Sequence, residues 1–174
     1  MTRVLILPGI GNSGPEHWQS RWEAREPALR RIEMPNWDEP ELEGWVAALD
    51  AAVKAEPALP VVAAHSLGCL ALAHWASRGG RLHAALLVAV PDPDGPEFPA
   101  VAQSFGPVPR ERLPFRSRVV ASHDDPYGSF SFAQGCAAAW GSELTDVGQA
   151  GHINATSGLG DWPAGRALLA GLLG

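Results

Sequence analysis

Residues 61–68, Val61-Val62-Ala63-Ala64-His65-Ser66-Leu67-Gly68 (VVAAHSLG), decide how this chain folds. Val61–Ala64 is a short apolar run of the kind buried parallel strands carry, introduced by Pro60. Leu67–Ser77 is apolar on nearly every side, as a buried helix is, and Gly79-Gly80 ends it. A strand that becomes a helix across so few residues leaves little room for side chains beside the turn. Gly68 meets that demand, and so does Ala64, where the usual small-x-Ser-x-Gly pattern has Gly. The turn would hold the Ser66 hydroxyl clear of the backbone, at the positive end of a helix dipole. Ser66 is therefore the candidate nucleophile. The bland reading is a serine that only caps a core helix.

Outward from this point, short apolar runs alternate with segments of helical period. Val4–Leu7 reads as a strand, and Pro15 can open a helix that carries Trp18 and Trp22 to about Arg25. Arg31–Met34 is a weaker strand. After it, Leu42, Trp45, Val46, Leu49 and Val53 mark one side of a helix. Ala84–Val90, Arg118–Ser122 and Glu143–Val147 complete the strands, while Ser131–Trp140 and Trp162–Leu173 complete the helices. The segment 91–116 holds seven prolines and no long periodic stretch. Strand–helix alternation at this spacing predicts an α/β fold, a parallel sheet with helices on both faces. Reacting residues then belong on loops at the carboxyl ends of the strands.

The bulk numbers agree with an ordinary globular chain. Its 174 residues suit a single domain spanning 1–174, and 46% are hydrophobic against 18% charged. The net charge of −6, with Lys54 the only lysine, argues against nucleic acid or anionic membrane as partner. Cys69 and Cys136 make no disulfide framework, the start of the chain lacks a signal-type h-region, and no apolar run nears a membrane span. The expected setting is cytoplasmic. The six histidines are scattered without ligand spacing, so no metal is expected.

A serine nucleophile needs a base, itself oriented by an acid, in the chain order Ser, acid, His. Ser122-His123-Asp124-Asp125-Pro126-Tyr127 follows one strand, and Gly148-Gln149-Ala150-Gly151-His152 follows the next. His152 is the candidate base, with Gly151 letting the ring turn back across the sheet edge. Asp124 and Asp125 compete for the acid. Asp125 is preferred because Pro126 stiffens the chain after it, which leaves Asp124 as a solvated or turn-capping residue. His65 and His123 are read as structural.

Gly9-Ile10-Gly11-Asn12-Ser13-Gly14 spells G-x-G-x-x-G after a strand, with Glu33 about where a dinucleotide site would have its acid. Pro15, however, puts the helix start beyond the third glycine, and a dinucleotide reading leaves Ser66 and His152 unexplained. The glycines suit an oxyanion hole equally well, since both need a backbone that approaches its ligand closely. The expected donors are the amides of Ile10 and Leu67, with Gly11 as second choice after Ile10. Gly9, Gly11 and Asn12 are candidates for touching substrate, as are His17, Trp18 and Trp37. For Trp18 and Trp37 a core position is equally open, whereas Trp22, Trp45 and Trp75 are assigned to the core.

Five motifs together, "PGIGNSGPEHW", "MPNWDEP", "AHSLG", "SHDDPY" and "GHINATSGLGDWP", resemble the small lidless serine hydrolases of the retinoblastoma-binding protein 9 type, within the α/β-hydrolase superfamily. The resemblance spans residues 3 to about 170. It implies a three-layer fold on six parallel strands in the order 2-1-3-4-5-6, without a lid domain. Position by position it also implies Ser66 as nucleophile, Asp125 as acid and His152 as base. The expectation is an esterase-like hydrolase of small acyl compounds, working without a cofactor, with 91–116 as the one candidate cover. A binding module that kept the fold without catalysis, and a nicotinamide oxidoreductase, are the alternatives.

Overall fold

Successive residues of a strand face opposite sides of its sheet, so a strand apolar at every position must be covered twice. The first strand obeys this rule. Leu5 and Leu7 pack into one cluster and Val4 and Ile6 into another, all four buried. The computed structural model describes residues 2–174. Its strands are β1 Val4–Leu7, β2 Leu29–Arg31, β3 Val61–His65, β4 Ala84–Val88, β5 Arg116–Ala121 and β6 Glu143–Asp146. All pair in parallel, in the order β2-β1-β3-β4-β5-β6. The helices are α1 Trp18–Arg25, α2 Leu42–Lys54, α3 Leu67–Ser77, α4 Phe130–Trp140 and α5 Pro163–Leu173. The cluster holding Leu5 and Leu7 is covered by α2, α3 and α4, and the cluster holding Val4 and Ile6 by α1 and α5. The layers are those the strand–helix alternation predicts, and the strand order is the one the family resemblance implies. No described helix is long and apolar enough to cross a membrane.

Several boundaries move from where local pattern put them. The second strand pairs Leu29 with Val4, earlier than Arg31–Met34. Ile32 and Met34 are still buried, and the Ile32 amide donates to Ile6 O at 2.9 Å as the strand ends. The first helix begins at Trp18 rather than beside Pro15, because the His17 ring accepts the Gln19 amide at its Nδ1 and caps the helix there. The fourth strand stops at Val88, since Ala89 turns to a φ of +56°.

The proline-rich segment is not a free cover. Ala100–Phe105 forms a 3₁₀ turn whose Ala102 and Phe105 are wholly buried. The Phe105 ring lies edge-on to Trp45, and His74 donates from Nε2 to Phe105 O at 2.7 Å. This stretch is packed onto α2 and α3. No separate lid stands over the carboxyl edge of the sheet among the described residues.

Candidate active site

At the end of β3 the chain turns on Ser66, whose φ of +53° and ψ of −123° lie far from any helix or strand. A non-glycine residue held there costs of order 1–3 kcal/mol, so the surroundings must enforce it. They do so by close approach. A Cβ on Gly68 would stand 2.7 Å from Leu7 O and 2.8 Å from Pro8 O. A Cβ on Gly9 would press on Ser66 Cβ at 3.1 Å. The loop after β1 therefore rests directly on the serine turn, and glycine at both positions permits it.

The loops after β5 and β6 deliver the other two groups. His152 Nε2 lies 2.8 Å from Ser66 Oγ, and its Nδ1 lies 2.9 and 3.0 Å from the two Asp125 oxygens. An ionised carboxylate only accepts, so Nδ1 carries the proton and Nε2 is left to accept from the Ser66 hydroxyl. The Asp125 side chain is 3% exposed and that of His152 10%, so water competes little for either contact. The Tyr127 amide donates to Asp125 Oδ1 at 2.9 Å, and the Tyr127 ring lies 4.6 Å from that of His152.

Asp124 is more than a turn cap. Its Oδ1 accepts from Ser122 Oγ at 2.7 Å and from the Gly151 amide at 2.8 Å. Ser122 Oγ in turn accepts the Ala150 amide at 2.9 Å. The hydrogen bond from Ser122, with that from Gly151, holds the Asp124 carboxyl below the usual range. Adjacent aspartates thus divide the work: Asp125 meets the ring of His152, and Asp124 holds the backbone leading to it. His123 points outward, pairing with Asp146 at 2.7 Å and stacking on Phe130.

Beside Ser66 opens a cavity of about 350 Å³, walled by the first loop, the serine turn, Phe98 and Pro99, and the segment after His152. Among the described residues no Lys, Arg, Asp or Glu lines it. Gly9, Ile10, Asn12 and His17 border it. Tyr127, Asn154 and Thr156 do too; they lie within the SHDDPY and GHINATSGLGDWP motifs, but nothing in the residue types themselves marks them for the cavity. Trp18, Trp37 and Gly11 do not line the cavity, which corrects the expectation for all three. Trp18 is 1% exposed, packed among Trp22 and Trp162. Trp37 packs on Trp45, and its carbonyl takes the Gly11 amide at 2.8 Å. That bond removes Gly11 as an oxyanion donor. Among the described residues the Ile10 amide enters no hydrogen bond, and Leu67 opens α3, where the first amides of a helix lack partners.

The dinucleotide arrangement is not how these glycines are used. A Cβ on Gly14 would meet nothing within 4 Å, although a dinucleotide turn needs its third glycine for close packing, and Glu33 is exposed. Behind the cavity, burial above all, with the charges of Arg31 and His152 nearby, lowers the pKa of His17 to about 4. Burial likewise pushes His65 well below its ordinary value, helped by the nearness of His17 and His152. Burial drives the Cys69 thiol up, so this cysteine beneath the serine turn is not a competing nucleophile.

A family model described as serine hydrolase matches residues 4–171. A crystal structure of a protein designated a YdeN-like hydrolase, from Pectobacterium atrosepticum, is 35% identical, with a TM-score of 0.89 over 99% of this chain and 90% of that one. The ydeN product of B. subtilis is 24% identical over 99% of both chains, with a TM-score of 0.81. A monoacylglycerol lipase of Paleococcus ferrophilus, at 12% identity over 98% of this chain and 95% of that one, shares the α/β-hydrolase fold with a TM-score of 0.75. No curated protein sequence matches at a significant level.

Proposed function

The chain belongs to the serine hydrolase family, and from that premise we propose that it cleaves esters of small, uncharged acyl compounds through an acyl-enzyme on Ser66. The observation that carries the reading is the pair of contacts made by His152, Nε2 to Ser66 Oγ at 2.8 Å and Nδ1 to Asp125 at 2.9 Å. Ser66 Oγ attacks the carbonyl carbon while His152 Nε2 takes the hydroxyl proton. Asp125 holds the ring in the tautomer this requires and stabilises its cationic form. The amides of Ile10 and Leu67 receive the charge on the carbonyl oxygen, each such donor being worth roughly 10²–10³ in rate. The acyl–oxygen bond then breaks as His152 returns the proton to the leaving alcohol. Water repeats the sequence: His152 takes a proton from it, its oxygen attacks the acyl carbon, and Ser66 leaves reprotonated.

The cavity argues for the substrate class. Among the described residues its walls carry no charged side chain, so a carboxylate, phosphate or ammonium on the acyl portion would lose hydration without gaining an opposite charge. At about 350 Å³ it suits a short acyl group. The motif resemblance to hydrolases of the retinoblastoma-binding protein 9 type supports the same reading, and the substrate is then a small molecule rather than a polymer. A fluorophosphonate probe with a panel of p-nitrophenyl esters, amides and thioesters tests it. The wild type should be labelled and Ser66→Ala should not, with acetate to butyrate esters turned over faster than long-chain ones. Labelling that survives Ser66→Ala, or turnover confined to long acyl chains, would overturn the reading.

A further inference from the structure

Ile153, the residue after His152, has a φ of +50° and a wholly buried side chain. A β-branched residue resists that conformation, so something outside the loop must hold it. Two donors from the α1/α5 face do. His65 Nε2 meets His152 O at 2.9 Å, and Trp18 Nε1 donates to Ile153 O at 2.9 Å. A carbonyl only accepts, so the proton of His65 resides on Nε2. Burial disfavours the charged ring, and the bond to His152 O fixes the tautomer.

We propose that His65 and Trp18 are positioning residues that clamp two successive carbonyls and thereby set the reach of the His152 ring to Ser66. The proposal rests on the reading of Ser66 and His152 as nucleophile and base. Its physical core is the shortness of the link. His65 immediately precedes Ser66, so the bond from its ring ties the backbone of the base to the neighbour of the nucleophile. A direct tie of one residue and one hydrogen bond thus links the two reacting groups, beside the longer route through β4, β5 and β6. Trp18 performs the same service one carbonyl later, from the first turn of α1. A displacement of about 1 Å between reacting groups can cost of order 10²-fold in rate, so such a clamp acts on turnover rather than on substrate affinity.

The test uses the full chain with His65→Met, His65→Gln, His65→Asn and Trp18→Phe. Each protein is titrated with the fluorophosphonate, and kcat per titrated site, KM on a short p-nitrophenyl ester and the thermal midpoint are measured. Gln can present an N–H near the place of Nε2, Asn stops short of it, and Met fills volume without a donor. His65→Met should lose about 10²-fold in kcat per titrated site with KM within about twofold, and His65→Gln should recover to within about tenfold of wild type. Trp18→Phe, which keeps the aromatic packing, should lose roughly three- to tenfold. If His65→Met does not fold, the Gln and Asn variants decide, with Gln expected to exceed Asn by at least about tenfold. Unchanged kcat per titrated site in the donor-less variants, with only the thermal midpoint lowered, would overturn the clamp alone. Failure of Ser66-dependent titration in the wild type would overturn the functional reading and the clamp with it.

Discussion

Under α2, α3 and α4 the sheet meets Trp45, Leu49, Leu70, Leu72 and Trp140, none more than 1% exposed. Under α1 and α5 it also meets tryptophans, but these are interleaved with buried His17, Gln19 and His65. The polar groups there have specific partners near the carboxyl ends of the strands. Gln19 Nε2 donates to Leu7 O at 3.2 Å and Ala63 O at 3.1 Å, while its Oε1 accepts from Ser13 Oγ at 2.6 Å. His65 and Trp18 hold the two carbonyls of the His152 loop. The first face contributes chiefly burial, which is non-directional and tolerant of detail. The second face adds directed hydrogen bonds, which specify where loops stand. Damage to the first should appear as lost stability, and damage to the second as lost turnover per folded molecule.

The largest effect should come from the group those loops exist to serve. Asp125→Asn should lower kcat by about 10³–10⁴-fold, roughly 4–5 kcal/mol of barrier, because the amide favours the wrong imidazole tautomer. A loss below about tenfold would mean that ring orientation is not what the rim supplies. Trp45→Ala, on the opposite face, should cost about 3–5 kcal/mol of stability by chemical denaturation. Its kcat per titrated site should stay within about twofold of wild type, and a larger fall would erase the distinction between the faces.

Acid offers a third way to separate them. His17 titrates near 4 when folded and near 6.5 when unfolded. Between those values the unfolded chain binds the extra proton, so its contribution is fully present above pH 6.5 and is lost as pH falls through 4. The loss for His17 is about 3 kcal/mol, and burial of His65 adds to it in the same direction. Urea midpoints should fall steadily from pH 7 to pH 4.5, and less steeply in His17→Leu. Equal slopes in the two proteins would show that this face does not carry the acid sensitivity. The smallest effect is expected for Gln19→Leu, which leaves the carbonyls of Leu7 and Ala63 without their side-chain donor. It should cost about 1–3 kcal/mol together with a measurable drop in kcat per titrated site. A purely thermal effect would move Gln19 to the packing side of the comparison.

The parts legible in the sequence were those with local causes. Val61–Gly68 announces its own turn, because a strand meeting a helix within a few residues demands small neighbours. The helix at Leu42–Lys54 follows from its own spacing. The register of β2 was not legible, since Leu29 and Ile32 are both apolar and only pairing with β1 selects between them. Trp18 looked equally suited to core or cavity. What decides is the Ile153 carbonyl, 135 residues away. For Asp124 the sequence offers only a solvated or turn-capping place, and its task emerges when the Gly151 amide is brought to it, 27 residues on.

Taken alone, then, the sequence determined the alternation of strands and helices, the layered α/β fold and the short list of groups that could react. These follow from periodicity and local sterics, which act over a few residues. The tertiary structure alone decided which aspartate faces the imidazole, which amides remain unpaired beside Ser66 and which side chains hold the loops. Those outcomes depend on directed contacts accurate to a few tenths of an ångström between segments far apart in the chain. No local pattern encodes them, because a hydrogen bond is specified by where both partners end up.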